Sequence, residues 1–361
     1  MDQEIDLESE TFKASVQRSR EIEKDIIRNP AGYRVLTGDR PTGNLHIGHL
    51  FGSLQNRVRL QNIGIETFVV IADYQVLTDR ESASDISRNV KELVIDYLSA
   101  GIDPENRNTT IFPHSHIPEL NQLLVPFLFL VSNSELDRNP TVKEEIAAAG
   151  LKHISAGMYV YPVHQAADIL SVKGNLVPVG KDQLPHLELC RLIARRFNKR
   201  FGGGRQIFKE PEALLSSAPN ILGLDGAQKM SKSRNNAIFL NATEDETSKL
   251  IKKAKTDSIR EIYYDPRNRP EVSNLLQIAA LAAGEAPDAI AGRIGAGGAS
   301  RLKQFLTESL NEYLAPIRKR RKELEQDERY IRDVLIRGVS RARAEAARTL
   351  SEVRQAMNME F

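Results

Sequence analysis

Two short strings carry the residue types that could do chemistry. The first, His46-Ile47-Gly48-His49, holds two imidazoles three positions apart. At the start of a helix such a pair meets the same turn. Free amides and the helix dipole there favour phosphate oxygens. Imidazole donors in that place can stabilise charge building on an α-phosphate during in-line attack. Gly48 between them permits close approach of a flat ring. The second string, Lys229-Met230-Ser231-Lys232-Ser233, offers two ammonium groups and two hydroxyls to a polyphosphate on a loop that Gly226 and polar flanks make mobile. Alone, an H-x-x-H reads as solvated or capped histidine, and a basic loop reads as solvated charge. Together, in this order, the strings read as two halves of one ATP site.

A third segment runs Tyr161-Pro162-Val163-His164-Gln165-Ala166-Ala167-Asp168-Ile169-Leu170. A carboxylate among apolar helical neighbours is costly unless partnered. Asp168 therefore reads either as an internal salt bridge or as the acceptor for a ligand donor such as a ring N–H. Gly180-Lys181-Asp182-Gln183 follows a short apolar run. There Asp182 can take a ribose hydroxyl or cap a helix, and Gln183 can bind polar atoms of a second substrate.

These groups need a frame. Tyr33 to Gly38, Thr67 to Ala72, Thr109 to Phe112 and Leu176 to Gly180 read as strands, each followed by a helical pattern. That alternation predicts an α/β fold with a Rossmann-like parallel sheet, and in such sheets ligands bind beyond the carboxyl ends of the strands. The loop before His46, Asp73 and the Gly180 loop all fall at such ends. After Ser233 the strand signals thin out. Asn274–Ala283, Ser300–Ala315 and Pro316–Met357 read as helices of a C-terminal helical domain. Residues 1–32 read as an appendage, with a short helix over Glu21–Arg28 ended by Asn29-Pro30. The expected division is 1–32 appendage, 33–240 catalytic domain and 241–361 helical domain.

Composition narrows the partners. A net charge of +2 is too small to argue for nucleic acid by itself. Local clustering is needed, and Arg318-Lys319-Arg320-Arg321-Lys322 is the densest basic run, followed by Arg337, Arg341 and Arg343. A single cysteine, Cys190, excludes an intrachain disulfide framework and fits a reducing cytoplasm. No apolar run approaches the ~18–20 residues of a membrane span, so no membrane partner is expected. His114, His116, His153, His164 and His186 show no metal-ligand spacing with Cys190, and no metal site is expected.

The two strings, the Tyr161–Leu170 segment, Val177-Pro178-Val179-Gly180-Lys181-Asp182-Gln183 and Val272-Ser273-Asn274-Leu275-Leu276 together resemble class I aminoacyl-tRNA synthetases, specifically the bacterial-type tryptophanyl-tRNA synthetases. The resemblance runs from about Tyr33 to the C-terminus. It implies that tryptophan is activated by ATP to an adenylate and then transferred to tRNA. It also implies Mg²⁺ carried by ATP, and a homodimer. By the same resemblance His46, His49, Lys229 and Lys232 are catalytic. Arg40, Pro41, Thr42, Gly48, Gly180, Lys181, Asp182, Ile221, Met230, Ser231 and Ser233 join His49, Lys229 and Lys232 around ATP. Asp168 takes the indole N–H, with Tyr161, Gln165 and Gln183 around the amino acid. Gln75 stands where many relatives carry histidine, Gln165 where some carry methionine, and Leu36 where some carry phenylalanine. Glu145 stands where some carry a lysine near the phosphates, which leaves that task to Lys143 or another cation. The rival readings are a tyrosine-specific relative, a paralogue that binds tryptophan or tRNA without charging, and a nucleotidyltransferase unrelated to tRNA.

Overall fold

The computed structural model describes residues 2–78, 83–149, 154–215 and 221–360; of residues 2–11, 148–149 and 233 it describes the backbone alone. Five parallel strands form one sheet in the order β3-β2-β1-β4-β5. They are β1 (Arg34–Asp39), β2 (Glu66–Ile71), β3 (Thr109–Pro113), β4 (Leu176–Val179) and β5 (Glu212–Leu215). Arg34 to Asp39 lie opposite Glu66 to Ile71, Val35 pairs with Leu176, and Leu176 to Val179 pair with Glu212 to Leu215. Strand order reverses between β1 and β4. A crevice therefore opens beyond Asp39 and Val179, the place where sheets of this kind bind ligands.

β1 runs, through a loop, into the short helix α2 (Ile47–His49), whose helical path widens to a π turn over Leu50–Leu54 and continues as α3 (Gln55–Ile63). Such π turns are common at functional sites. Helices α4 (Ile86–Ser99), α5 (Pro118–Leu128), α6 (Asn133–Asp137), α7 (Pro140–Ala149), α8 (Ala156–Ser171) and α9 (Leu184–Phe201) cover the sheet. Phe68, Phe112, Phe127 and Phe197 are fully buried in the layer that holds α8 and α9. The remaining helices are α10 (Glu244–Lys253), α11 (Pro270–Ala283), α12 (Pro287–Ile294), α13 (Gly298–Glu325) and α14 (Glu328–Ala356).

Three elements differ from the sequence reading. Pro316 lies inside α13 rather than dividing two helices, and the break falls at Gln326-Asp327, where Asp327 accepts from the Tyr330 amide. α14 returns to the sheet and lies directly on β3; a Cβ on Gly338 would meet the Ile111 carbonyl at 1.8 Å, so only glycine fits there. The N-terminal segment forms one long helix, α1 (Asp2–Arg28), rather than a short one. Ile22 and Ile26 of α1 are fully buried against Val35, Leu60, Leu176 and Leu214.

Candidate active site

The two chemical strings meet because the chain after the second is stitched to the first. The Ile47 amide donates to the Ile238 carbonyl at 2.9 Å, and the Leu240 amide donates to Leu45 at 2.9 Å. Lys232 Nζ donates to the Gly43 carbonyl and lies 3.4 Å from Thr42 Oγ1. Met230 is buried under the junction, and its amide faces the Ile221 carbonyl. Lys229 lines the cleft and forms no side-chain hydrogen bond or ion pair among the described residues, though its charge acts on His46 and His49.

The two imidazoles lie with ring centroids 3.8 Å apart. A Cβ on Gly48 would come within 2.9 Å of the His46 ring, so this residue must be glycine if the ring is to stay where it is. Burial, then the neighbouring His49 and lysines, pushes His46 down to about 2. Burial lowers His49 to about 4 although Asp39 pulls the other way. Both rings are neutral at physiological pH. The His46 backbone amide donates to His49 Nδ1 at 3.3 Å, which leaves the His49 proton on Nε2.

Beneath His49 lies a network that the sequence reading missed. Asp39 Oδ2 accepts from Arg57 at 2.5 Å and from the Tyr97 hydroxyl at 2.8 Å. Burial works against the Asp39 carboxylate, but Arg57 outweighs it and holds the pKa far below the usual range. A second buried pair, Asp96 with Arg321 of α13, holds the approach to α2: Asp96 Oδ2 accepts from the Leu45 amide at 2.7 Å. Arg321 belongs to the dense basic run, so that residue answers acids inside the protein. Arg318 likewise turns to the Ala242 carbonyl and Thr247. Lys319, Arg320 and Lys322 remain exposed.

At the other end of the cleft, Asp168 on α8 is 2% exposed. His114 Nδ1 lies 3.0 Å from its Oδ1. The Tyr74 amide donates to His114 Nε2 at 3.0 Å, so the proton of the neutral ring sits on Nδ1 and faces Asp168. Burial disfavours an imidazolium at His114, but Asp168 and Asp73 outweigh it and raise the pKa. Asp168 Oδ2 has no hydrogen bond among the described residues and faces the cleft end. His164 completes the group, with Nε2 3.1 Å from Asn121 Oδ1. His114, His164 and Asp168 thus converge despite lacking ligand spacing in the sequence. The protein itself occupies both nitrogens of His114, one of His164 and one oxygen of Asp168, so this is a hydrogen-bonded chain.

Tyr161 donates to Glu145 at 2.7 Å. His186 Nε2 lies 2.9 Å from the same hydroxyl, and Asn139 meets its Nδ1 at 3.2 Å. Burial lowers His186 to about 4, so this ring is neutral and donates to the tyrosine oxygen. Glu145 therefore serves Tyr161, and Lys143 is an exposed residue outside the cleft lining.

One cleft of about 1210 Å³ joins both ends. Arg40, His46, Gly48, His49, Ile221, Lys229 and Met230 line it on one side. Gly180, Lys181, Asp182 and Gln183 line the β4 end, and Tyr161, Gln165 and Asp168 the far end, with Leu36 and Gln75 beside them. Pro41, Thr42, Ser231 and Lys232 are not in the lining; Lys232 joins the rim through Thr42 and Gly43. The Ser233 side chain and His153 lie outside the described residues.

The chain is similar to known proteins over most of its length. The family described as tRNA synthetases class I (W and Y) matches residues 29–315. The tryptophan--tRNA ligase of Treponema pallidum is 41% identical over 340 residues, covering 90% of this chain and 97% of that protein. That of Thermotoga maritima is 42% identical over 334 residues, covering 91% and 100%. The crystal structure of tryptophanyl-tRNA synthetase from Campylobacter jejuni complexed with ADP and tryptophan superposes with a TM-score of 0.78 at 32% identity, covering 90% of this chain and 99% of that one. A tyrosyl-tRNA synthetase from Archaeoglobus fulgidus shares the fold at 20% identity and a TM-score of 0.63, covering 80% and 90%. With the signature helix, the basic loop and the buried Asp168 in one cleft, the chain belongs to the class I tRNA synthetases of tryptophan and tyrosine, among the bacterial-type tryptophan–tRNA ligases.

Proposed function

We propose that this cleft carries out both steps of tryptophan–tRNA ligation with the residues described above. In the first step the tryptophan carboxylate attacks the ATP α-phosphorus. A carboxylate oxygen–phosphorus bond forms, the bond to the β-phosphate breaks, and pyrophosphate leaves. In the second step a hydroxyl of the terminal tRNA adenosine attacks the acyl carbon, and AMP leaves. The enzyme supplies no nucleophile; it positions the reactants and stabilises charge.

The observation that carries this reading is Asp168, a buried carboxylate with one oxygen fixed by His114 and the other toward the cleft. An indole N–H is the matching donor, and Gln165 and Leu36 flank it. Tyr161 and Gln183 hold the ammonium end of the amino acid. Gly180, Lys181 and Asp182 hold the ribose side, with Ile221 and Met230 against the base. His46 and His49 face the α-phosphate as neutral donors, while Lys229, Lys232 and the serine hydroxyls gather the leaving phosphates. Mg²⁺ arrives on the nucleotide. It prefers oxygen ligands, and Asp39, the acid whose charge acts on His49, is already committed to Arg57 and Tyr97. When bound, the ion neutralises charge on the pyrophosphate.

Residues 33–240 perform activation, braced by α14 on β3 and by Arg321 of α13 at Asp96, and the rest of the helices of 241–361 extend toward the anticodon side of tRNA. Lys319, Arg320 and Lys322 are the exposed cations of the dense run there. A homodimer is supported by Val125 and Phe129, 57% and 77% exposed at the end of α5. The described helices include none long and apolar enough to cross a membrane.

Amino-acid-dependent ATP–pyrophosphate exchange tests the assignment. Exchange with tryptophan alone is expected. Exchange with tyrosine would overturn the reading of Asp168, and no exchange from folded, ATP-binding protein would favour the non-charging paralogue.

A further inference from the structure

The helix α1 belongs to no part of the chemistry so far, and the family match begins at residue 29, just beyond it. Yet it does not hang free. Phe12, Val16, Ser19, Arg20 and Glu23 all line the cleft. Their spacing of three, four and one residues puts them on one helical stripe. The neighbouring stripe, Ile22 and Ile26, is fully buried against the sheet.

α1 is anchored to both walls of the nucleotide half. On the β5 side, Ser19 Oγ accepts from the Leu215 amide at 2.8 Å, and Arg18 pairs with Glu212 at 2.9 Å. On the signature-helix side, Glu23 pairs with Arg59 of α3 at 2.7 Å. At the β4 loop, Lys181 Nζ lies 4.9 Å from the centroid of the Phe12 ring. Arg20 is exposed and has no ion pair among the described residues. The stripe thus offers a ring, an aliphatic side chain and an uncommitted cation to the same end of the cleft. A base, a ribose and phosphates match that set. The indole end, at β2, β3 and α8, lies across the sheet from β5.

We propose that α1 is a wall of the ATP site, in which Phe12 holds Lys181 against the nucleotide and Arg20 attracts its phosphates. This rests on the ligase reading given above, so the wild-type chain is first shown to exchange pyrophosphate with tryptophan. The KM for ATP and the KM for tryptophan are then measured for Phe12→Ala, Arg20→Ala and the double variant. Both side chains line the cleft rather than the core, and circular-dichroism melting checks that the variants stay folded. The KM for ATP is expected to rise about three- to tenfold in the double variant, the scale of losing one ring–cation contact and one exposed cation. The KM for tryptophan is expected to stay within about twofold, and Phe12→Tyr should restore most of the Phe12→Ala loss. An unchanged KM for ATP, equal rises for both substrates, or a rise in the KM for tRNA alone would each overturn the proposal. Failure of the wild-type exchange would instead overturn the ligase reading. Should Phe12→Ala unfold the chain, Arg20→Ala alone decides by the same criterion.

Discussion

The two ends of the cleft are built on opposite plans. At the indole end, Asp168, His114, Asp73 and Ser115 hold one another in a closed set, and the ring of His114 is locked by a backbone amide. At the phosphate end, the histidines are driven neutral by burial, and Lys229 forms no side-chain hydrogen bond or ion pair among the described residues. The first plan suits a ligand that keeps its shape and charge through the reaction. The second suits charge that exists only as bonds change, because donors held ready in a dry site act mainly on the transition state.

The largest expected effect is at the phosphate end. Lys232→Ala should lower the rate of exchange by roughly 10²–10³-fold, the usual cost of losing one charge-stabilising donor, with tryptophan binding unchanged. A similar loss in tryptophan affinity would break the distinction between the two ends. Next comes Asp168→Asn, which keeps the size but replaces the acceptor pair. It should weaken tryptophan binding roughly 10–100-fold by leaving a buried donor unsatisfied, with the KM for ATP little changed. The chain contains no tryptophan, so the fluorescence of the bound substrate reads this directly.

The smallest effect is one of pH. Burial chiefly lowers His49 to about 4, so between about 4 and the ordinary 6.5 the unfolded chain binds this proton and the folded chain does not. Stability therefore rises with pH across that window through this group. Activation should show no acid limb near 6.5 from the signature histidines. Exchange rates from pH 5 to 8 at saturating Mg²⁺ check this; a limb near 6.5 that vanishes in His49→Asn would contradict the neutral-ring assignment.

The legible parts of the molecule were those with local causes. Thr67 to Ala72 and Thr109 to Phe112 are runs of β-branched and aromatic residues, and both are strands. β5 escaped notice because Glu212-Ala213-Leu214-Leu215 are better helix formers than strand formers, and only pairing with β4 makes them a strand. Pro316 misled because α13 accommodates it without ending. Of the residues named from short strings, His46, His49, Lys229, Asp168 and Gln183 line one cleft, whereas Pro41, Thr42, Ser231 and Lys232 do not, and the partners of those that do were not readable. His114 reaches Asp168 across 54 residues, and Glu145 meets Tyr161 through a turn of the fold. No periodicity announces contacts of that kind.

The pair of Asp96 and Arg321 has a bearing on how the protein is made. Asp96 steadies the amide that leads into the signature helix, and its buried charge is answered from 225 residues further along. A ribosome adding ~5–20 residues per second needs on the order of 11–45 s to supply that answer. Until then the carboxylate is uncompensated, and the α2 loop lacks its finished support. α14, which closes over β3, emerges later still. A chain that stops short of α13 thus holds both chemical strings without the Asp96–Arg321 pair and without α14 on β3, the two supports that brace the cleft from downstream.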